Sequence, residues 1–213
     1  GHLGDGGWPA LVDDIGRLAD VARQAHPGLP LVLLGHSMGS FAAQQYVLEH
    51  STELDALVLT GTAALDLLEP ALDLSQPLSL EAFNAAFEPA RTDYDWLSRD
   101  EAQVDLYVAD PDCGFGLDAT ATAQMFVGAR PLADPDRLED VRADLPVYVA
   151  VGEQDPVHGD QALLAPVVDR FRSRTPDVTV HIYPGARHEV FNETNRAEVV
   201  HDLMVWLDRV VPA

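Results

Sequence analysis

The sequence contains no lysine, and its 13 basic residues, all arginine, are outnumbered by 35 acidic residues, for a formal net charge of −22. Without lysine, the chain can form neither a Schiff base nor a serine–lysine dyad. A surface this negative repels phosphate backbones and anionic membranes, so we predict no nucleic-acid binding. No apolar run approaches the ~20 residues that a membrane helix needs, and no integral membrane segment is predicted.

Cysteine is nearly absent as well. Cys113 is the single cysteine, which excludes an intrachain disulfide framework and a cysteine-based zinc cluster. We interpret it as a small hydrophobic residue of the interior. No His-x-x-x-His pair and no acidic cluster has the spacing of metal ligands, and the glycine-rich loops that bind dinucleotides or phosphates are missing. The sequence therefore predicts no metal and no cofactor.

The sequence does contain a regular alternation of strands and helices. The chain has 213 residues, of which 47% are hydrophobic, and this is enough for one domain with a sizeable core. Short apolar runs, typical of strands buried on both faces, lie at 31–34, 54–63, 145–155 and 178–183. Helical periodicity is found at 8–25, 41–50, 160–174 and 195–211. The alternation predicts an α/β fold with a mainly parallel sheet flanked by helices.

Residues 64–135 interrupt this alternation. They are rich in leucine, alanine, phenylalanine and acidic residues, with helical patches and no clear strand. About 70 residues between two strands are too many for a plain loop. We therefore predict a helical cap at 64–135, inserted between a first part of the core at 1–63 and a second part at 136–213.

The sequence "GHSMGS" at 35–40 joins the first predicted strand to the following helix. A G-x-S-x-G pattern between a buried strand and a helix is typical of a nucleophile elbow, in which the serine sits on a sharp, strained turn. Strand and helix approach closely at such a turn, and we expect that Gly35, Gly39 and Ser40 are small for this reason. The pattern predicts that Ser37 is a nucleophile.

Two later strands end in residues that can activate a serine. Asp155 follows the third predicted strand and His188 follows the fourth. The carboxyl ends of parallel strands meet at one edge of a sheet, and the order Ser, Asp, His is usual for such enzymes. We predict that His188 is the general base and then the general acid, and that Asp155 orients it. Glu153 as the acid and His158 as the base remain alternatives.

The residues beside Ser37 have predicted roles of their own. The backbone N–H of Met38 is expected to be one donor of an oxyanion hole. The second donor normally comes from a loop after an early strand, and we find no such strand in this chain. The His36 side chain is expected to point away from Ser37, to pack on a neighbouring loop and to contribute to substrate binding.

Three motifs carry a family resemblance: "GHSMGS", "GEQDPV" at 152–157 and "GARHEVFNE" at 185–193. With the cap sequence at 92–115, they resemble the α/β-hydrolase superfamily, and within it the bacterial monoacylglycerol lipase and lysophospholipase-like group of serine aminopeptidase S33-type hydrolases. The resemblance implies an esterase that acts on monoacylglycerol or lysophospholipid-like acyl esters. It also implies that the amino-terminal strands of the sheet, with the second oxyanion donor, lie outside this sequence, in a longer or separate segment of the same protein.

A small, lipid-like ester is thus the expected partner, and we place Phe87, Trp96 and Phe126 of the predicted cap beside His36 in its binding site. Two other functions remain open. A prolyl-aminopeptidase-type peptidase would use acidic cap residues such as Glu81 or Glu88 to hold the substrate amine. A non-catalytic binding module would retain the fold without turnover. No signal peptide is visible, and we expect a cytoplasmic protein.

Overall fold

The structure, a computed structural model, describes residues 1–75 and 79–211. Its described strands form one parallel sheet in the order β1-β2-β3-β4. The strands are β1 (Val32–His36), β2 (Ala56–Thr60), β3 (Val147–Gly152) and β4 (Val178–Tyr183). The predicted α/β fold with a mainly parallel sheet is confirmed.

The two central strands, β2 and β3, are buried along their whole length. Their side chains alternate between the two faces of the sheet, as the pleat requires. Leu57 and Leu59 point to the larger apolar core, whereas Ala56 and Val58 point to a smaller core on the opposite face. Burial on both faces explains why these strands appear in the sequence as continuous apolar runs.

Helices cover both faces of this sheet. The larger core contains side chains from helices α1 (Gly7–Ala25), α2 (Met38–His50) and α7 (Leu164–Arg174). On the opposite face, α8 (Arg196–Val210) contributes Val199, Leu203 and Trp206. No helix in residues 1–75 and 79–211 combines the length and the apolar character needed to cross a membrane.

The chain between β2 and β3 is helical, and its described residues contain no strand. Its helices are α3 (Leu65–Leu68), α4 (Glu101–Ala109), α5 (Ala119–Ala129) and α6 (Pro135–Leu138), with short 3-10 turns between them. Asp100 and Asp118 cap the N-termini of α4 and α5, because each carboxylate accepts a backbone N–H of the first turn. The boundaries 64 and 135 of the predicted cap stay a prediction.

Several element ends differ from the sequence prediction. Helix α7 begins at Leu164 rather than at 160, because Asp160 and Gln161 have positive φ angles, 50° and 68°, outside the right-handed helical region. Helix α2 begins at Met38, directly after the elbow, although we predicted a start at 41. Strand β3 ends at Gly152 and not at 155, since the Asp155 N–H turns back to the Gly152 carbonyl at 3.2 Å.

Candidate active site

Ser37 lies in the sharp turn between β1 and α2, with φ 50° and ψ −122°. A non-glycine residue in such a conformation costs about 1–3 kcal/mol and is found mostly at functional sites. The Ser37 N–H donates to the Thr60 carbonyl at 2.9 Å, which fixes the turn to the end of β2. A Cβ atom on Gly35 would lie 2.5 Å from the Gly39 carbonyl oxygen, so strand and helix do approach closely at this glycine.

The prediction that crowding also explains Gly39 is wrong. A Cβ atom there would meet no atom of a neighbouring element within 4 Å. Ser40 is fully buried, and its hydroxyl lies 2.7 Å from the Ser37 carbonyl oxygen and 3.0 Å from Thr62 Oγ1. Ser40 therefore fits this place both because its side chain is small and because its hydroxyl has hydrogen-bonding partners there.

Asp155 and His188 form a buried pair. Both carboxylate oxygens of Asp155 lie 3.0 Å from His188 Nδ1. Because an ionised carboxylate can only accept, Nδ1 carries the proton of this contact, and Nε2 lies on the opposite side of the ring. Burial raises the pKa of Asp155, but the charge and hydrogen bond of His188 and the Val157 N–H outweigh this effect, so the pKa lies below its usual value.

His36 contacts His188 directly, with 4.8 Å between the ring centroids. Its Nδ1 lies 2.9 Å from Thr60 Oγ1, so the ring packs against the end of β2. Burial, followed by the nearby His188, lowers the pKa of His36 to about 3, although Asp155 acts in the opposite direction. His36 is therefore a neutral ring beside His188 at neutral pH.

Gly61, directly after β2, leaves the space that both imidazole rings occupy. It has a φ of 56°, and a Cβ atom there would lie 2.6 Å from His188 Cε1 and 3.0 Å from His36 Cε1. Gly152, at the end of β3, leaves space for the backbone just before His188, because a Cβ atom there would lie 2.1 Å from the Arg187 carbonyl oxygen. Sequence reasoning missed both glycines, and their position at strand ends was the available signal.

A cavity of about 350 Å³ brings these residues together with the predicted cap. Ser37, Met38, His36 and His188 line one side. Apolar cap residues line most of the rest, among them Leu80, Phe83, Trp96, Phe115, Met125 and Phe126. A larger groove of about 730 Å³ lies beside α1, α2 and α5 and contains none of the predicted catalytic residues.

Of the three predicted cap contacts, Trp96 and Phe126 line this cavity. The Trp96 ring lies 4.8 Å from the ring of His188. Phe87 is not part of the lining, because the Arg187 guanidinium lies 4.3 Å over its ring and holds it elsewhere. The placement of Phe87 in the substrate site is therefore corrected.

The alternative residues are engaged elsewhere. Glu153 is exposed and accepts the Gly185 N–H at 2.8 Å. His158 is fully buried, with Nε2 2.8 Å from the Gly152 carbonyl oxygen and Nδ1 accepting the Gln161 N–H at 3.0 Å. With both nitrogens occupied, His158 has no lone pair to offer a substrate or a serine.

Cys113 is half-buried in the lining of the cavity, rather than in the interior as predicted. Burial raises the pKa of its thiol, and nearby acidic residues act in the same direction, so a thiolate is disfavoured. In the described part of the chain, no group of three or more His, Cys, Asp or Glu side chains is arranged to hold a metal ion.

A parallel sheet flanked by helices, a strained serine after its first strand and an Asp–His pair after later strands define the α/β-hydrolase class. The chain belongs to the serine aminopeptidase, S33 family, whose model matches residues 5–195. The resemblance stated from the three motifs is thus confirmed.

Two curated relatives and one solved structure are similar to this chain over most of its length. Monoacylglycerol lipase of Mycolicibacterium smegmatis is 34% identical over 97% of this chain and 71% of its own length. Monoglyceride lipase of Mus musculus is 27% identical over 97% of this chain and 67% of its own length. A thermostable carboxyl esterase from Bacillus coagulans, crystallised with glycerol, has a TM-score of 0.84 and 25% identity, over 99% of this chain and 74% of that chain. The chain is a carboxylic-ester hydrolase of the lipase and esterase class.

Proposed function

We propose that the protein cleaves monoacylglycerol-like esters through an acyl-enzyme on Ser37, with His188 as general base and Asp155 as its orienting carboxylate. The observation that carries this proposal is the buried Asp155–His188 pair, whose histidine lines one cavity with a serine in strained backbone geometry. A serine hydroxyl needs an adjacent base to become nucleophilic, and a neutral imidazole oriented by a carboxylate is such a base.

In the first step, the Ser37 Oγ attacks the ester carbonyl carbon while His188 Nε2 takes its proton. The carbonyl oxygen becomes an oxyanion, and the N–H of Met38 is available to it, because the first N–H groups of a helix have no partner within the helix. Asp155 stabilises the imidazolium. His188 then protonates the leaving alcohol oxygen, the carbon–oxygen bond breaks, and the acyl group stays on Ser37. Water, deprotonated by His188, releases the fatty acid in the second half of the cycle.

The substrate assignment has two supports. The cavity is lined mainly by leucine, phenylalanine, tryptophan and methionine side chains, which suits an acyl chain. The net charge of −22 disfavours anionic lipids and favours a neutral head group such as glycerol. Monoacylglycerols therefore fit this chain better than anionic lysophospholipids.

The test combines covalent labelling with an ester panel. A fluorophosphonate probe is expected to label the wild type on Ser37, and Ser37→Ala is expected to lose both labelling and ester turnover. Ser173→Ala, an exposed serine on α7, is the matched control and should retain both. Labelling at another residue, or turnover by Ser37→Ala, would contradict the proposal.

The same assay separates the two alternatives. Faster release of an aminoacyl arylamide than of any acyl ester would favour the peptidase. A wild type without turnover, beside a Ser37→Ala variant that binds monoacylglycerol unchanged, would favour the binding module.

A further inference from the structure

Glu193 is a fully buried carboxylate that the proposed reaction does not use. It accepts four N–H groups: the backbone of Arg187 at 2.9 Å, the backbone of Arg99 at 3.0 Å, Nε of Arg99 at 2.8 Å and the backbone of Thr194 at 2.9 Å. Burial raises the pKa of Glu193, but these hydrogen bonds outweigh it, and the pKa lies below its usual value. The group is therefore a saturated anion at neutral pH.

The donors come from two separate segments. Arg187 belongs to the loop at 184–195, called here the histidine loop, and Arg99 belongs to residues 95–100, called here the cap strip. The two segments share further hydrogen bonds: His188 N to Trp96 O at 3.3 Å, Glu189 N to Leu97 O at 2.8 Å, Arg187 Nη1 to Ser98 O at 3.2 Å and Ser98 Oγ to Asn192 O at 2.9 Å. Glu193 is the charged group at the centre of this junction.

The junction reaches His188 from two sides, through Arg187 in the histidine loop and through Trp96 in the cap strip. The backbone N–H that Arg187 donates to Glu193 lies directly before His188 in the chain. On the other side, Arg99 holds the cap strip so that the Trp96 ring lies 4.8 Å from the His188 ring. Glu193 itself is not among the residues that line the cavity. Its hydrogen bonds reach the site only by way of the histidine loop and the cap strip.

We propose that Glu193 is a positioning residue that keeps the His188 ring in reach of Ser37 by joining the histidine loop to the cap strip. This inference rests on the proposed role of His188 as the general base. Glutamine at this position has nearly the same shape as glutamate. Its amide NH₂ group, however, would replace one accepting oxygen and would itself be a donor facing N–H donors. The loss of two acceptor contacts would leave buried donors unpaired and loosen both segments.

The experiment compares Glu193→Gln with Arg99→Gln and with the control Glu153→Gln. Glu153 also accepts an N–H of the histidine loop, from Gly185, but it is exposed and has no bond to the cap strip. On a short, soluble ester we expect kcat of Glu193→Gln to fall about 10- to 100-fold, because misplacement of a reacting group by about 1 Å costs up to about 100-fold. KM should change by a smaller factor than kcat, since Trp96 and Leu97 are the cap-strip residues in the cavity lining and the apolar residues outside the strip are not touched.

Arg99→Gln, which leaves the backbone donors of Glu193 in place, should lower kcat less. The double variant should lose less than the product of the two single losses, because both act on one junction. Hydrogen exchange should rise in residues 95–100 and 187–194 together in Glu193→Gln, and should be unchanged in Glu153→Gln.

Unchanged kcat and unchanged exchange in folded Glu193→Gln would overturn the inference. Equal losses in Glu193→Gln and Glu153→Gln would overturn it too, because they would indicate a general weakening of the loop. If Glu193→Gln does not fold, Arg99→Gln alone decides: unchanged kcat and exchange there count against the inference. A wild type without labelling or turnover would refute the proposed function instead, and hydrogen exchange would then decide separately whether Glu193 joins the two segments.

Discussion

Substitution of Gly61 by alanine tests the geometry of the site without removing any chemical group. The new Cβ atom would lie 2.6 Å from His188 Cε1, where an ordinary contact begins at 3.4 Å. The imidazole would have to recede by about 0.8 Å, a displacement close to the ~1 Å that costs a catalytic arrangement about 100-fold. The Asp155–His188 hydrogen bonds of 3.0 Å would stretch or bend in the process.

The stability effect has two parts. Alanine at a φ of 56° costs about 1–2 kcal/mol relative to glycine, and overpacking against two buried rings costs about a further 1–3 kcal/mol. Gly28→Ala provides the control, because Gly28 also has a positive φ, 83°, but a Cβ atom there meets nothing within 4 Å. Urea unfolding should show a loss for both variants, with the larger loss for Gly61→Ala.

The assay is kcat for a soluble ester, measured well below the unfolding midpoint of each variant. We expect Gly61→Ala to lose about 10- to 100-fold in kcat, while Gly28→Ala keeps the wild-type value within about twofold. Wild-type kcat in folded Gly61→Ala would refute the reasoning, because the contact with His188 would then have no catalytic consequence.

Three further predictions concern the histidines and their partners. Asp155→Asn should lower kcat by about 10³- to 10⁴-fold, because the asparagine amide would favour the wrong tautomer of His188. A kcat near the wild-type value across the pH-rate profile would contradict the proposed role of Asp155. His158→Ala should destabilise the fold by about 2–4 kcal/mol in urea unfolding, since it leaves the Gly152 carbonyl and the Gln161 N–H unpaired. The kcat of the folded fraction should stay within about threefold of the wild-type value. A large loss of kcat would instead support His158 as the base. The pKa of His36 is about 3 in the folded chain and 6.5 in the unfolded chain, so proton uptake favours the unfolded chain, and stability is lost as the pH falls from 6.5 towards 3 by at most about 1.4 kcal/mol per pH unit. His36→Asn should flatten the curve of unfolding free energy against pH over this range, measured by urea unfolding. An unchanged slope would show that His36 titrates normally.

Local patterns account for what the sequence predicted well. A buried parallel strand is a continuous apolar run, and β4 was predicted with both of its observed ends. The elbow at Ser37 is encoded within six residues, and the meeting of Asp155 and His188 follows from the rule that useful residues stand at strand ends, while their catalytic roles stay a prediction. Each of these inferences needs only neighbouring residues.

Contacts between distant segments account for what the sequence did not predict. Phe87 was placed in the substrate site on its apolar character, but the Arg187 guanidinium that covers its ring belongs to another part of the chain. Gly61 matters because two imidazoles converge on it, and Glu193 because Arg99, 94 residues away, donates to it. No periodicity or motif in one segment encodes the position of the other.

The junction between the cap strip and the histidine loop has a consequence for how such a protein diversifies. Exchange of residues 64–135 for the same region of a relative would alter the apolar lining of the cavity and, under the proposed function, the acyl preference. The same exchange would replace Trp96 and Arg99, and with them the groups that face His188 and neutralise Glu193. Chimeras that retain residues 95–100 are therefore the better starting point. In this chain, residues that line the cavity and residues that contact His188 therefore belong to one exchangeable stretch.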